Sequence, residues 1–145
     1  MNKCSIIVLI IHLMSVCSLL AQSIDFDKII DTSEATYIIM PNNSLTKCVK
    51  LKEKNVEYKI GVSNENKVIF ISTNDTLFSV DGIRVGDKIS LFCDVEKIEF
   101  SISNKNFSPG WGYYIPISGN WFAALDFREK PNKKSTVQFF FKYKF

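Results

Sequence analysis

The run from Val56 to Ser72 does more than any other to limit the folds open to this chain. Val56, Tyr58, Ile60 and Val62 alternate with Glu57, Lys59 and Gly61, a period of two that suits a half-buried strand and not an α-helix. Ser63-Asn-Glu-Asn66 has the composition of a turn, and Lys67-Val-Ile-Phe-Ile-Ser72 follows with few polar residues, as a central strand would. The two predict a hairpin inside a meander.

The flanking segments extend that frame. Ala35 to Met40 is rich in β-formers and stops at Pro41-Asn-Asn-Ser44, so it reads as a strand. Thr46 to Lys54 alternates but is strongly basic, which fits an edge strand whose lysines discourage unwanted pairing. Upstream, Ile24, Phe26, Ile29 and Ile30 are spaced for a short amphipathic helix or a docked arm.

The stretch from Asn74 to Lys88 is the pivot, holding two of the chain's six glycines, Gly82 and Gly86. Asp81-Gly82 reads as a turn between short extended pieces, and the glycines supply positive φ on either side of a two-residue strand. The spacing is weak as a phosphate loop, because the third glycine and any lysine-serine pair are missing. Asp87 is placed to cap a helix over Lys88 to Val95, where Ile89, Phe92 and Val95 have helical spacing. Ile98, Phe100 and Ile102 then alternate as a strand. Tyr113 to Ile117 and Asn120 to Phe127 flank a Ser118-Gly119 turn, and Thr136 to Phe145 closes the chain as an aromatic strand. The expectation is an α+β single domain, a mostly antiparallel sheet of about seven strands with one or two short helices.

The first residues bear on compartment. Lys3, the apolar run from Ile6 to Val16 and the small Ala21 before a polar stretch have the layout of a secretory signal peptide over residues 1–21. The apolar run is short for a membrane span, so an uncleaved anchor is the lesser reading. A lipoprotein signal ending at Cys17 is another, although Val16 is a poor residue to precede an acylated cysteine. Cleavage leaves roughly 120 residues, enough for one domain with a single core. It also removes His12, the chain's one histidine, and with it Ser-His-Asp, Cys-His and histidine–zinc chemistry.

With 18 basic and 15 acidic side chains the charge is near balance, and its spread suggests no nucleic-acid face. No cofactor or metal motif stands out: there is no EF-hand-like repeat. Carboxylate pairs such as Asp81 with Asp87 or Asp94 with Glu96 keep a carboxylate-dependent hydrolase open as an alternative. Cys48 and Cys93 remain after cleavage. In an exported compartment they are a candidate disulfide that would close about 45 residues and contribute roughly 3–4 kcal/mol, against the competing reading of two buried thiols. Both tryptophans, Trp111 and Trp121, fall near Tyr113 in the Ser108 to Phe122 region. They are candidate partner-binding residues if exposed as a stacking platform, and otherwise an aromatic core cluster. Val137, Phe139, Phe141, Tyr143 and Phe145 share one strand face, like the terminal strand of an outer-membrane barrel. Eight strands would consume nearly all of the exported chain, so the last strand of a soluble sheet explains the pattern with fewer demands.

Phe70-Ile-Ser-Thr73, then Phe78-Ser-Val-Asp-Gly-Ile-Arg-Val-Gly-Asp87, then Pro109-Gly-Trp-Gly-Tyr113 and Gly119-Asn-Trp121 resemble small exported proteins and lipoproteins of Gram-negative bacteria. The shared elements are a glycine-framed Gly-Ile-x-Val-Gly turn and a Gly-Trp-Gly strand, across roughly residues 41–127. The glycine unit before a helix is also similar to SmpA/OmlA-like and β-lactamase-inhibitor-like folds. The resemblance implies an exported domain and no catalytic residues. The expectation is therefore a periplasmic or secreted, non-enzymatic protein that binds a protein or envelope polymer. The alternatives are the hydrolase and a membrane-associated protein, tethered through Cys17 or inserted as a barrel.

Overall fold

The computed structural model describes residues 24–40, 44–94, 113–126 and 129–144. The leader expected over residues 1–21, with His12 and Cys17, the strand expected over Ile98 to Ile102, and Trp111 lie outside them. Among the described residues there are nine strands: β1 Thr36–Ile39, β2 Leu45–Glu53, β3 Val56–Val62, β4 Val68–Thr73, β5 Ser79–Val80, β6 Ile83–Arg84, β7 Tyr114–Pro116, β8 Phe122–Ala124 and β9 Phe139–Tyr143. Seven of them form one antiparallel sheet in the order β1-β2-β3-β4-β9-β8-β7, and β5 and β6 make a separate hairpin.

The expected α+β class is corrected. Among the described residues there is no α-helix, only three-residue 3-10 turns at Ile89–Leu91 and Ser118–Asn120, and the protein is nearly all β. Ile89 and Phe92 are three apart, a spacing that one 3-10 turn satisfies as well as a helix does. Asp87 caps nothing: its carboxylate accepts the Arg84 N–H at 2.8 Å and closes the β6 turn. Of the two readings for the first residues, the arm is the one seen. Asp27 and Ile30 donate backbone hydrogen bonds to Val68 and Asn66, and Val68 donates to Lys28. β2 is an edge only in its second half: β1 covers Leu45 to Cys48, and among the described residues no strand pairs with Val49 to Glu53 on that side. Lys50 and Lys52 occupy the sheet face opposite to Val49, where solvent accommodates them.

Turn chemistry explains the hairpins. Lys54 and Asn55 both have positive φ, as do Asp81 and Gly82, the backbone that a tight two-residue hairpin requires. Between β3 and β4 the register slips, from Gly61 opposite Phe70 to Val62 opposite Val68. One extra β4 residue is accommodated there as a bulge. Val68 therefore joins the main core while Phe70, two residues on, turns to the other face.

That division organises the molecule. On one face Val49, Ile60, Val62, Ile71 and Phe140 meet Phe78, Val80 and Ile89 from the pivot and Ile24, Phe26 and Ile30 from the arm. The pivot is laced down by Gly86 N–H to Val137 O at 2.8 Å and Ile89 N–H to Ser135 O at 3.0 Å. On the other face Phe70, Tyr114, Phe141 and Met40 are buried with Phe122, Phe139, Tyr143 and Ile38 beside them.

Candidate functional site

The residues picked out by composition are not gathered on one exposed surface. Trp121 is 5% exposed, inside the main core. Its ring centroid lies 4.8 Å from that of Phe78, and Lys142 Nζ stands 4.9 Å from the ring. Burial pulls the Lys142 pKa down, opposed by the nearby Asp25 charge. Tyr113 is half-buried against the same core.

The expected disulfide is corrected: Cys48 and Cys93 are both free. Cys93 packs on the core side, whereas Cys48 follows β2 alternation to the opposite face from Val49, so the sheet separates them. Burial raises the pKa of each thiol. Gly82 and Gly86 take φ of 79° and 91° with no neighbour near an added Cβ, so they serve the backbone turn. Asp81 is exposed in that turn. Among the described residues no group of three His, Cys, Asp or Glu side chains assembles as a metal site.

A concave feature lies on the second face. There the β1 end comes over the sheet and leaves a cleft of about 380 Å³, within the size range of small-molecule sites. Ile38, Ile39, Phe70 and Phe139 supply its apolar wall, and Glu57, Lys59, Ser72, Thr73, Asn74 and Gln138 its polar part. Aromatic packing stiffens the ground beside it: Phe141 stacks on Phe122 at 5.0 Å and on Phe70 at 6.0 Å, with Tyr114 edge-on at 5.9 Å.

Strand register places the polar groups. Lys59 of β3, Ser72 of β4 and Phe141 of β9 are consecutive cross-strand partners, so their side chains form one row on this face. Thr73 is already engaged, donating its hydroxyl to Glu57 O at 2.7 Å. Glu57 itself pairs with Lys50 at 3.2 Å. Ser72 differs. It is 7% exposed, and its hydroxyl has no hydrogen-bond partner among the described residues. No buried side-chain oxygen or nitrogen is left wholly unsatisfied there, so this hydroxyl opens to the cleft. Lys59 is exposed and makes no ion pair among the described residues.

The arrangement can hold an apolar group against Phe70 and Phe139 while offering hydrogen-bond donors to a polar end. It does not bring two carboxylates together, because Glu57 is the one carboxylate among its described lining residues. Sequence reasoning passed over Lys59 and Ser72 while following the apolar partners of the same strands. The signal was present as the other half of the Val56 to Val62 alternation, where Glu57 and Lys59 share a face with Gly61. Comparison of the chain with family models, with curated proteins and with solved structures gave no match.

Proposed function

We propose that this chain is an exported, non-enzymatic binding domain that holds a protein or envelope partner through an apolar group inserted in the second-face cleft. One observation carries the reading: a cleft of about 380 Å³ walled by Ile38, Phe70 and Phe139, with unengaged donors at Lys59 and Ser72. Sites of this kind bind by shape and a few placed polar groups. Export rests on the leader pattern of residues 1–21, and kinship with the small envelope proteins and lipoproteins that the glycine turn resembles belongs to the same proposal. A carboxylate hydrolase draws no support from the cleft lining, where Glu57 is the one carboxylate among the described residues and is paired with Lys50.

The test uses protein recovered from the envelope fraction of cells expressing the full chain. Intact mass is expected to place the first residue at Gln22, with no lipid on Cys17. Native mass spectrometry or co-purification is expected to find a bound component that Ser72→Trp, which fills the cleft, removes while the protein stays folded. A component retained by the filled variant, or an uncleaved leader, would overturn the proposal.

A further inference from the structure

We infer that the cleft recognises a carboxylate-bearing amphiphile of medium chain length, its head group held by Lys59 and Ser72 and its apolar body lying on Phe70 and Phe139. This rests on the binding reading above and narrows its ligand class.

Two independent observations select the head group. The Ser72 hydroxyl is on a side chain more than nine-tenths buried, faces the cleft and is bonded to nothing among the described residues. Because no buried side-chain oxygen or nitrogen is left unsatisfied among the described residues, the hydroxyl is accessible from the cleft, where it is free to bond a ligand atom or water. Directly across the ladder stands Lys59, a cation with no carboxylate partner among the described residues. An ammonium and a hydroxyl side by side suit the two oxygens of one carboxylate, a charge-assisted pair.

The rest of the lining sets the remainder of the ligand. Glu57 at the rim would repel an anion, but Lys50 already pairs with it at 3.2 Å. Lys52, opposite Glu57, lies within reach of the Asp75 charge, so Lys59 is the lining cation without a carboxylate partner among the described residues. Ile38, Phe70 and Phe139 provide apolar and aromatic wall, and offer nothing to a polar chain. The volume, near the lower end for small-molecule sites, argues against a large lipid.

Isothermal titration calorimetry with decanoate and with decanol, both below their aggregation concentrations, tests the inference on protein recovered from cells expressing the full chain. Decanoate is expected to bind roughly tenfold more tightly than decanol, the worth of one charge-assisted hydrogen bond. Lys59→Gln is expected to remove that difference and leave decanol binding unchanged. Because Lys59 is exposed, the variant is expected to keep its melting temperature. Ser72→Ala is expected to weaken decanoate about threefold. Equal binding of the two probes, abolished by Ser72→Trp, would overturn the carboxylate assignment and leave the cleft reading standing. Binding of neither probe would overturn the amphiphile assignment, and binding that survives Ser72→Trp would overturn the site itself.

Discussion

At Gly61 the second face leaves no room for a side chain. A Cβ there would lie 2.9 Å from Phe70 Cβ and 3.3 Å from Met40 Sδ. The first contact is shorter than packed atoms tolerate, and Phe70 Cβ is fixed to a central strand. Gly61→Ala is therefore expected to destabilise the protein by about 1–3 kcal/mol through overpacking, read as a lower urea midpoint. An unchanged midpoint would mean that β3 and β4 part freely at the bulge to admit the methyl group. Asp75 acts in the opposite sense, by attracting its surroundings. Its carboxylate accepts the Leu77 and Glu57 N–H groups at 2.9 and 3.0 Å, and these bonds, Leu77 first, hold its pKa below 3.8. Because the folded pKa is depressed, the stabilisation is complete above the unfolded value and is lost as pH falls through the folded one. Asp75→Asn should thus be less stable than the parent at pH 6, by about 1 kcal/mol or less given its solvent contact, with the difference closing under strong acid. A difference that persists at low pH would assign Asp75 a packing role instead.

Elements differ in how openly the chain declares them. β3 and β4 were legible because their alternation and the Ser63 to Asn66 turn agree, and agreement between levels is what specifies structure. The helix expected after Asp87 was not, since Ile89 and Phe92 carry a spacing shared with a single 3-10 turn. Nor could the C-terminal run be read in one piece. Val137 packs in the main core, whereas Phe139, Phe141 and Tyr143 serve the opposite face, because the strand begins only at Phe139. The cleft was hidden for another reason: it depends on β1 approaching β4 and β9 across the sheet, a tertiary matter that no local pattern encodes. The arm shows how an irregular element can still be structural. Ile24, Phe26 and Ile30 pack on the main core, and Asp27 pairs with Lys144 beside β9. Phe26→Ala is expected to cost about 1–2 kcal/mol, below a full-burial value because the ring is only half-buried. Limited proteolysis would show faster cleavage near residue 24. Equal cleavage rates would mean that the arm is dispensable to the core.

For the molecule as a whole, the decisive feature is where the last strand goes. β9 inserts between β4 and β8, so the sheet stays in two pieces, β1-β2-β3-β4 and β7-β8, until the C-terminus is available. Its residues serve both faces: Phe140 is fully buried in the main core and Phe141 fully buried among the aromatics opposite. Val137, just before it, also receives Gly86 and holds the pivot. Such a strand closes long loops late, which makes folding slow and strongly cooperative. A chain ending at Ser135 should therefore lose the fold altogether rather than one strand of it, with no cooperative urea transition and with Trp121 fluorescence shifted to that of solvent-exposed indole. Leu91→Gln, at a side chain 75% exposed, gives the contrast and is expected to stay within about 0.5 kcal/mol of the parent. Were the truncated chain to keep a cooperative transition, the first four strands with the arm and pivot would be a folding unit by themselves. The two faces could then no longer be regarded as joined through β9.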